Sequence, residues 1–181
     1  MTPRHEVVSP ARPGPSATGL RVCASPGRAD AWTLAEFSAT MNQIPLPPPR
    51  PADGYAGDVT PELAFQWVQS GHAVLIDVRS DAEREWVGFV PGAVPLAWKQ
   101  WPGMVMNPGF DTGIVAAVPA GKKAVLLCRS GVRSIAAARR ATELGVEAYN
   151  ILEGFEGDPD ENAHRGHKGG WRMRGLPWRQ G

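Results

Sequence analysis

The sequence predicts an α/β domain, a parallel sheet flanked by helices on both faces, behind a disordered N-terminal extension. Two short apolar runs, AVLIDV (73–78) and AVLLC (124–128), have the length and continuity of strands buried on both faces. They alternate with segments that carry helix caps or helical spacing, the pattern of a parallel sheet covered by helices. A length of 181 residues with 20% charged residues suits one core.

Residues 1–57 are rich in Pro, Gly, Ala, Ser and Arg and end in IPLPPPRPADG, where successive prolines remove backbone donors and favour extended chain. They are expected to be disordered, with the domain running from 58 to 181. A secretory signal is not expected, because the best apolar candidate, LRVC, is interrupted by Arg21. A transit peptide stays open, although Glu6, Asp30 and Glu36 weaken it, and so does a native start at Met41, beside the compositional break.

Within DVTPELAFQWVQSG the chain reads as a short strand, Thr60 as N-cap, Pro61 at the first helical position and a helix closed by Gly71. AVLIDV follows as a buried strand. DAEREW reads as a short helix capped by Asp81, and GAVPLAW as a second buried strand. Residues 99–120 contain Gly103, Pro108, Gly109 and Pro119, which break any long helix. AVLLC is the third buried strand. IAAARRATELG then places Ala137, Ala141 and Leu144 on one helical face, small enough to lie close to a sheet, and Gly145 ends the helix. EAYNIL supplies a last strand.

Nineteen basic and eighteen acidic residues leave no field to attract nucleic acid or an anionic membrane, so partners are expected to be recognised locally. Two cysteines, Cys23 and Cys128, are too few for a disulfide framework, and no apolar run is long enough to span a bilayer. The expected compartment is a reducing cytosol.

CRSGVRS (128–134) puts a thiol between a buried strand and a helix. Ligands of open α/β sheets bind beyond the carboxyl ends of the strands. Backbone N–H groups of a strand-to-helix turn converge into an anion-binding nest, and the helix start adds about half a positive charge. Gly131 permits the tight path, while Arg129 and Arg133 supply fixed charge. Such surroundings lower a cysteine pKa from about 8.5 into roughly 3.5–7.5, so a thiolate is expected at neutral pH.

The chain resembles the rhodanese-like sulfurtransferases over about residues 58–181. The segments that carry the resemblance are DVRSDAEREW (77–86), GFVPGAVPL (88–96), CRSGVRS and the closing GGWRMRGLPW. The resemblance implies a parallel sheet with flanking helices and a nucleophilic Cys128 that accepts a sulfane sulfur as a persulfide. It implies a substrate cradle made by Arg129, Ser130, Gly131, Val132, Arg133 and Ser134, with Asp77 and Arg79 as a structural polar pair at the sheet end. Neither metal nor organic cofactor is implied. The expected donor is a small anion such as thiosulfate and the expected acceptor is cyanide or a thiol, with a protein donor or acceptor also open. Phe89 stands where the family usually has histidine, and an inserted segment, about 154–168, reads as a solvated loop or a lid.

Two other readings stay open. A persulfide carrier or regulatory module with little turnover would suit the proline-rich region as a docking segment. Phosphatase or arsenate reductase chemistry on related folds uses a loop one residue longer than the four residues between Cys128 and Arg133, and Ser134 stands where its arginine would be. Metal sites are not expected. His164 and His167 have no cysteine nearby, and the string Asp158, Asp160, Asn162 lacks the glycine and closing carboxylate of a calcium loop, having Ala163 and Gly169 there. Trp67, Trp86 and Trp98 are expected in the core, with Trp171 and Trp178 closing the domain.

Overall fold

The structure, a computed structural model, describes residues 45–181. The disorder expected of residues 1–44 lies outside the described residues. Residues 45–57, grouped by composition with the extension, pack on the domain. Arg50 and Asp58 exchange two backbone hydrogen bonds of 2.8 Å, Tyr55 is buried and Leu46 rests on the core. Proline lacks a donor, but from the proline-rich segment this edge bridge needs only the N–H of Arg50, the other donor being Asp58.

Strand β1 (Gly57–Val59) leads into helix α1 (Pro61–Gln69). Thr60 caps it, its hydroxyl accepting from the Leu63 N–H at 3.2 Å, and Gly71 ends it at φ +74°. Strand β2 (Ala73–Asp77) is followed by α2 (Asp81–Val87). The cap of α2 is Ser80, not Asp81. Ser80 and Glu83 form a reciprocal capping box that satisfies two open donors, whereas a lone Asp81 cap would satisfy one. GAVPLAW is not a buried strand. Only β3 (Val94–Pro95) forms, half-buried to exposed, at the sheet edge, where Pro95 is tolerated because an edge strand has no partner on its outer side.

The region of broken pattern folds as a small antiparallel pair, β4 (Lys99–Gln100) with β5 (Val105–Met106), and helix α3 (Phe110–Ala117). Strand β6 (Lys123–Leu127), helix α4 (Val132–Glu143) and strand β7 (Ala148–Ile151) complete the order.

The sheet runs β1-β7-β6-β2-β3, parallel throughout. Its faces are read off β6. Val125 and Leu127 point to a core with Leu63, Phe65 and Trp171, while Ala124 and Leu126 point to one with Phe110, Ile114, Ala137 and Ala141. Helix α1 therefore covers one face and α3 with α4 the other. Ala137, Ala138 and Ala141 of α4 are fully buried, which lets its backbone approach the sheet. Among the described residues no helix is long and apolar enough to cross a membrane.

Candidate active site

Strands β2 and β6 pair in parallel with Asp77 opposite Leu127, so the chains leaving them, Val78–Ser80 and Cys128–Gly131, emerge side by side. Asp77 and Arg79 are both buried and joined by three side-chain contacts, Nε to Oδ1 at 3.0 Å, Nε to Oδ2 at 3.2 Å and Nη2 to Oδ2 at 2.6 Å, and by the Arg79 backbone N–H donating to Oδ1 at 3.0 Å. Arg79 also donates to the Gly88 carbonyl at 2.9 Å and lies over the Phe155 ring at 4.0 Å. Among the described residues its Nη1 has no hydrogen-bond partner. The pair ties the exit of β2 to the turn after α2.

Cys128 is 1% exposed, at the inner end of its loop. Gly131 adopts φ +102°, a conformation open to glycine, and caps α4. Its N–H donates to the Cys128 Sγ at 3.1 Å. Ser134 Oγ lies 3.2 Å from the same sulfur, 2.9 Å from the Gly131 carbonyl and 2.6 Å from Asn150 Oδ1, so one hydroxyl proton faces three acceptors. Asn150 is held in turn by Asp58, its Nδ2 donating to Oδ1 at 2.8 Å. Among the described residues, the N–H groups of Ser130, Val132 and Arg133 meet no protein acceptor. They are the open donors of a strand-to-helix turn, in the place where an anion would sit.

The two loop arginines separate. Arg133 points to α2, donating to Glu83 Oε2 at 2.7 Å and Oε1 at 2.5 Å. Burial works to raise the Glu83 carboxyl, but the Arg133 guanidinium and the Ser80 N–H outweigh it and hold the group down at about 2. Arg129 is exposed and, among the described residues, its side chain pairs with no carboxylate. It lines a cavity of about 640 Å³ that also contains Cys128, Ser130, Val132 and Arg133.

The segment after β7 holds the loop from behind. The N–H of Phe155 donates to the Cys128 carbonyl at 2.8 Å and that of Glu156 to the Arg129 carbonyl at 3.0 Å. Phe155 and Trp171 are fully buried, and Trp178 stacks edge-on against Phe155. The start of the segment that reads as an inserted surface loop is therefore a buttress. Farther along it, Asp160 accepts from the Asn162 and His164 N–H groups and contacts His167 Nδ1 at 2.8 Å, and Arg165 reaches the cavity.

Trp67 and Trp98 pack against the cores as expected, but Trp86 is 71% exposed. Helix α2 has no buried residue, so its tryptophan faces the cavity rather than the interior. Sequence reading also misses Glu83, Asn150 and Arg165. The Ser80–Glu83 spacing signals a cap but not an arginine partner fifty residues away. For Arg165, one cation in a polar loop that also holds Lys168, no signal exists.

The family model described as rhodanese-like domain matches residues 60–158. The crystal structure of Rv0390 from M. tuberculosis is similar with 43% identity and a TM-score of 0.64, covering 70% of this chain and 99% of that one. An uncharacterized protein of Rickettsia conorii is 32% identical over 120 residues, which span 61% of this chain and 86% of the relative. The thiosulfate sulfurtransferase GlpE of Actinobacillus succinogenes is 29% identical over 121 residues, 66% of this chain and 87% of that protein. With the parallel sheet and the turn from β6 into α4, these matches show that the chain belongs to the rhodanese-like domain family.

Proposed function

We propose that the protein is a sulfurtransferase that carries a sulfane sulfur on Cys128. The observation that supports it is the sulfur atom's setting: Sγ receives the Gly131 N–H at 3.1 Å inside a turn whose other N–H groups are open to an anion. In its thiolate form, Cys128 attacks the outer sulfur of thiosulfate or a persulfide donor. A bond forms between Sγ and that sulfur, and the donor's S–S bond breaks. With thiosulfate, sulfite leaves with the electron pair. Arg129 and the open N–H groups offset the charge on the departing group, an electrostatic role of the oxyanion-hole type. The persulfide then yields its outer sulfur to cyanide or a thiol, and the pair of the broken bond returns to Sγ. Charge and electrons balance in both halves. The relative with thiosulfate sulfurtransferase in its name adds support.

Arg133 bears on the choice between sulfur and phosphorus. Its planar fork is occupied by Glu83 and does not close over the loop, whereas phosphoryl transfer needs cationic donors on the equatorial oxygens. The test is paired turnover on the unaltered protein. Thiocyanate should form from thiosulfate and cyanide, with no comparable hydrolysis of an aryl phosphate. Efficient hydrolysis with no thiocyanate would replace this reading with the phosphatase one.

A further inference from the structure

The cavity over Cys128 is larger and less polar than a small inorganic donor needs. Thiosulfate has five heavy atoms, which at the room of a water each, roughly 30 Å³, fill about 150 Å³. About 640 Å³ is present, within the roughly 300–1,000 Å³ that takes organic ligands. Large apolar side chains converge on it from three elements: Trp86 from α2, Trp101 and Met104 from the β4–β5 turn, and Val132 from the first turn of α4. Trp101 is 63% and Val132 75% exposed, so they stand in water around the opening rather than in the core. Single exposed apolar residues are ordinary, but convergence of several on one concavity marks a binding surface.

The charges complete the pattern. Glu83, the only carboxylate lining the cavity among the described residues, is matched by Arg133. Arg129 and Arg165 are left unmatched. Arg165 donates through Nη1 to the Gly157 carbonyl at 2.6 Å, which anchors the side chain without neutralising it. The cavity that holds the sulfur is thus lined by exposed aromatic side chains and by two cations without a carboxylate partner among the described residues.

We propose that this cavity is an acceptor subsite for a low-molecular-weight organic thiol, with an apolar or aromatic body resting on Trp86 and Trp101 and an anionic group on Arg165. The proposal rests on the sulfurtransferase reading and extends it. The bound thiolate attacks the outer sulfur of the Cys128 persulfide. A new S–S bond forms on the acceptor, the bond to Sγ breaks, its electron pair returns to Cys128, and the proton of the outer sulfur travels with it as the acceptor's persulfide. No oxidant or reductant enters. Trp101 and Arg165 are specificity-determining residues in this account.

The test compares discharge of thiosulfate-loaded protein by cyanide, mercaptoethanol, para-(mercaptomethyl)benzoate and the corresponding uncharged benzamide. The wild type should favour the benzoate over mercaptoethanol, and the benzoate over the benzamide by roughly tenfold in kcat/KM, as a charge-assisted bond implies. Arg165→Gln should erase the benzoate preference over the benzamide. Trp101→Ala should lower both aryl thiols relative to mercaptoethanol by roughly tenfold, and its exposure leaves the fold intact. Ratios unmoved in both variants, with loading and cyanide discharge intact, overturn the acceptor subsite alone. If no sulfur is loaded from thiosulfate or a persulfide donor, the sulfurtransferase reading fails and the subsite falls with it.

Discussion

Arg129 and Arg133 line one cavity beside the cysteine but differ in their partners. Arg129, exposed at the cavity and without a carboxylate partner among the described residues, is placed to meet an anionic donor. Loss of a charge-assisted hydrogen bond costs about 1.5–3 kcal/mol, so Arg129→Ala should lower kcat/KM for thiosulfate roughly ten- to a hundredfold with an unchanged melting temperature. Arg133→Ala removes both donors to Glu83 and leaves a carboxylate only 22% exposed, so it should lower the melting temperature by several degrees. Equal activity losses and unchanged melting in both variants would contradict this division. The pair also has a pH signature. The folded Glu83 carboxyl is held at about 2, below its unfolded value of roughly 4.3, so its contribution is complete above that value and is lost as pH falls through about 2. Glu83→Gln should therefore be less stable than wild type at neutral pH, and the gap in melting temperature should close between about pH 4.3 and pH 2. A gap that persists in acid would mean that Glu83 contributes through packing. Arg129, Gly131 and Arg133 are legible in CRSGVRS because turn, helix start and charge are local properties. Glu83 and Asn150 are not, since nothing local to either encodes a partner brought close by parallel strands.

At the scale of elements, the segment after β7 decides how the cysteine loop is held. Gly154 sits at φ +63°, and a Cβ there would lie 2.5 Å from the Cys128 carbonyl oxygen and 2.6 Å from the Ser130 nitrogen. Backbone atoms cannot yield as a flexible side-chain end can, so Gly154→Ala should displace the loop itself. A shift of about 1 Å at a reacting centre can cost roughly a hundredfold, and a rate loss of that order is expected together with a lower melting temperature. Gly71→Ala is the comparison. Gly71 has a similar φ of +74° but an added Cβ would meet nothing within 4 Å, so only the conformational cost, on the order of 1–2 kcal/mol, should appear, with activity kept. Equal rate losses in the two variants would remove the buttress from the account. Composition alone reads this segment as a solvated loop, because Gly, Asp and Asn dominate it and Phe155 is one apolar residue among them. The cap of α2 and the truncation of β3 are misread for a related reason. Apolar content in GAVPLAW resembles a buried strand, but the segment lies at the sheet edge with β2 as its one neighbour in the sheet, and only Val94–Pro95 form strand.

At the scale of the whole molecule, the order of strands and helices is legible because two independent periodicities agree. Continuous runs require both faces covered, and AVLIDV and AVLLC become adjacent central strands. Ala137 and Ala141 of IAAARRATELG are buried against the sheet as their spacing requires. Strand order itself is not legible, since β7 lies between β1 and β6 through contacts that span the chain. The same topology places the β6 exit beside the β2 exit and puts Cys128 at the floor of a cavity assembled from three further elements. If this cysteine carries the transferred sulfur, intact-mass measurement after thiosulfate treatment detects it. One added sulfur atom should appear, localise to the peptide containing Cys128, disappear on addition of cyanide and be absent from Cys128→Ser. A Cys128→Ser protein that still gains the sulfur, or retains wild-type turnover, would contradict the assignment.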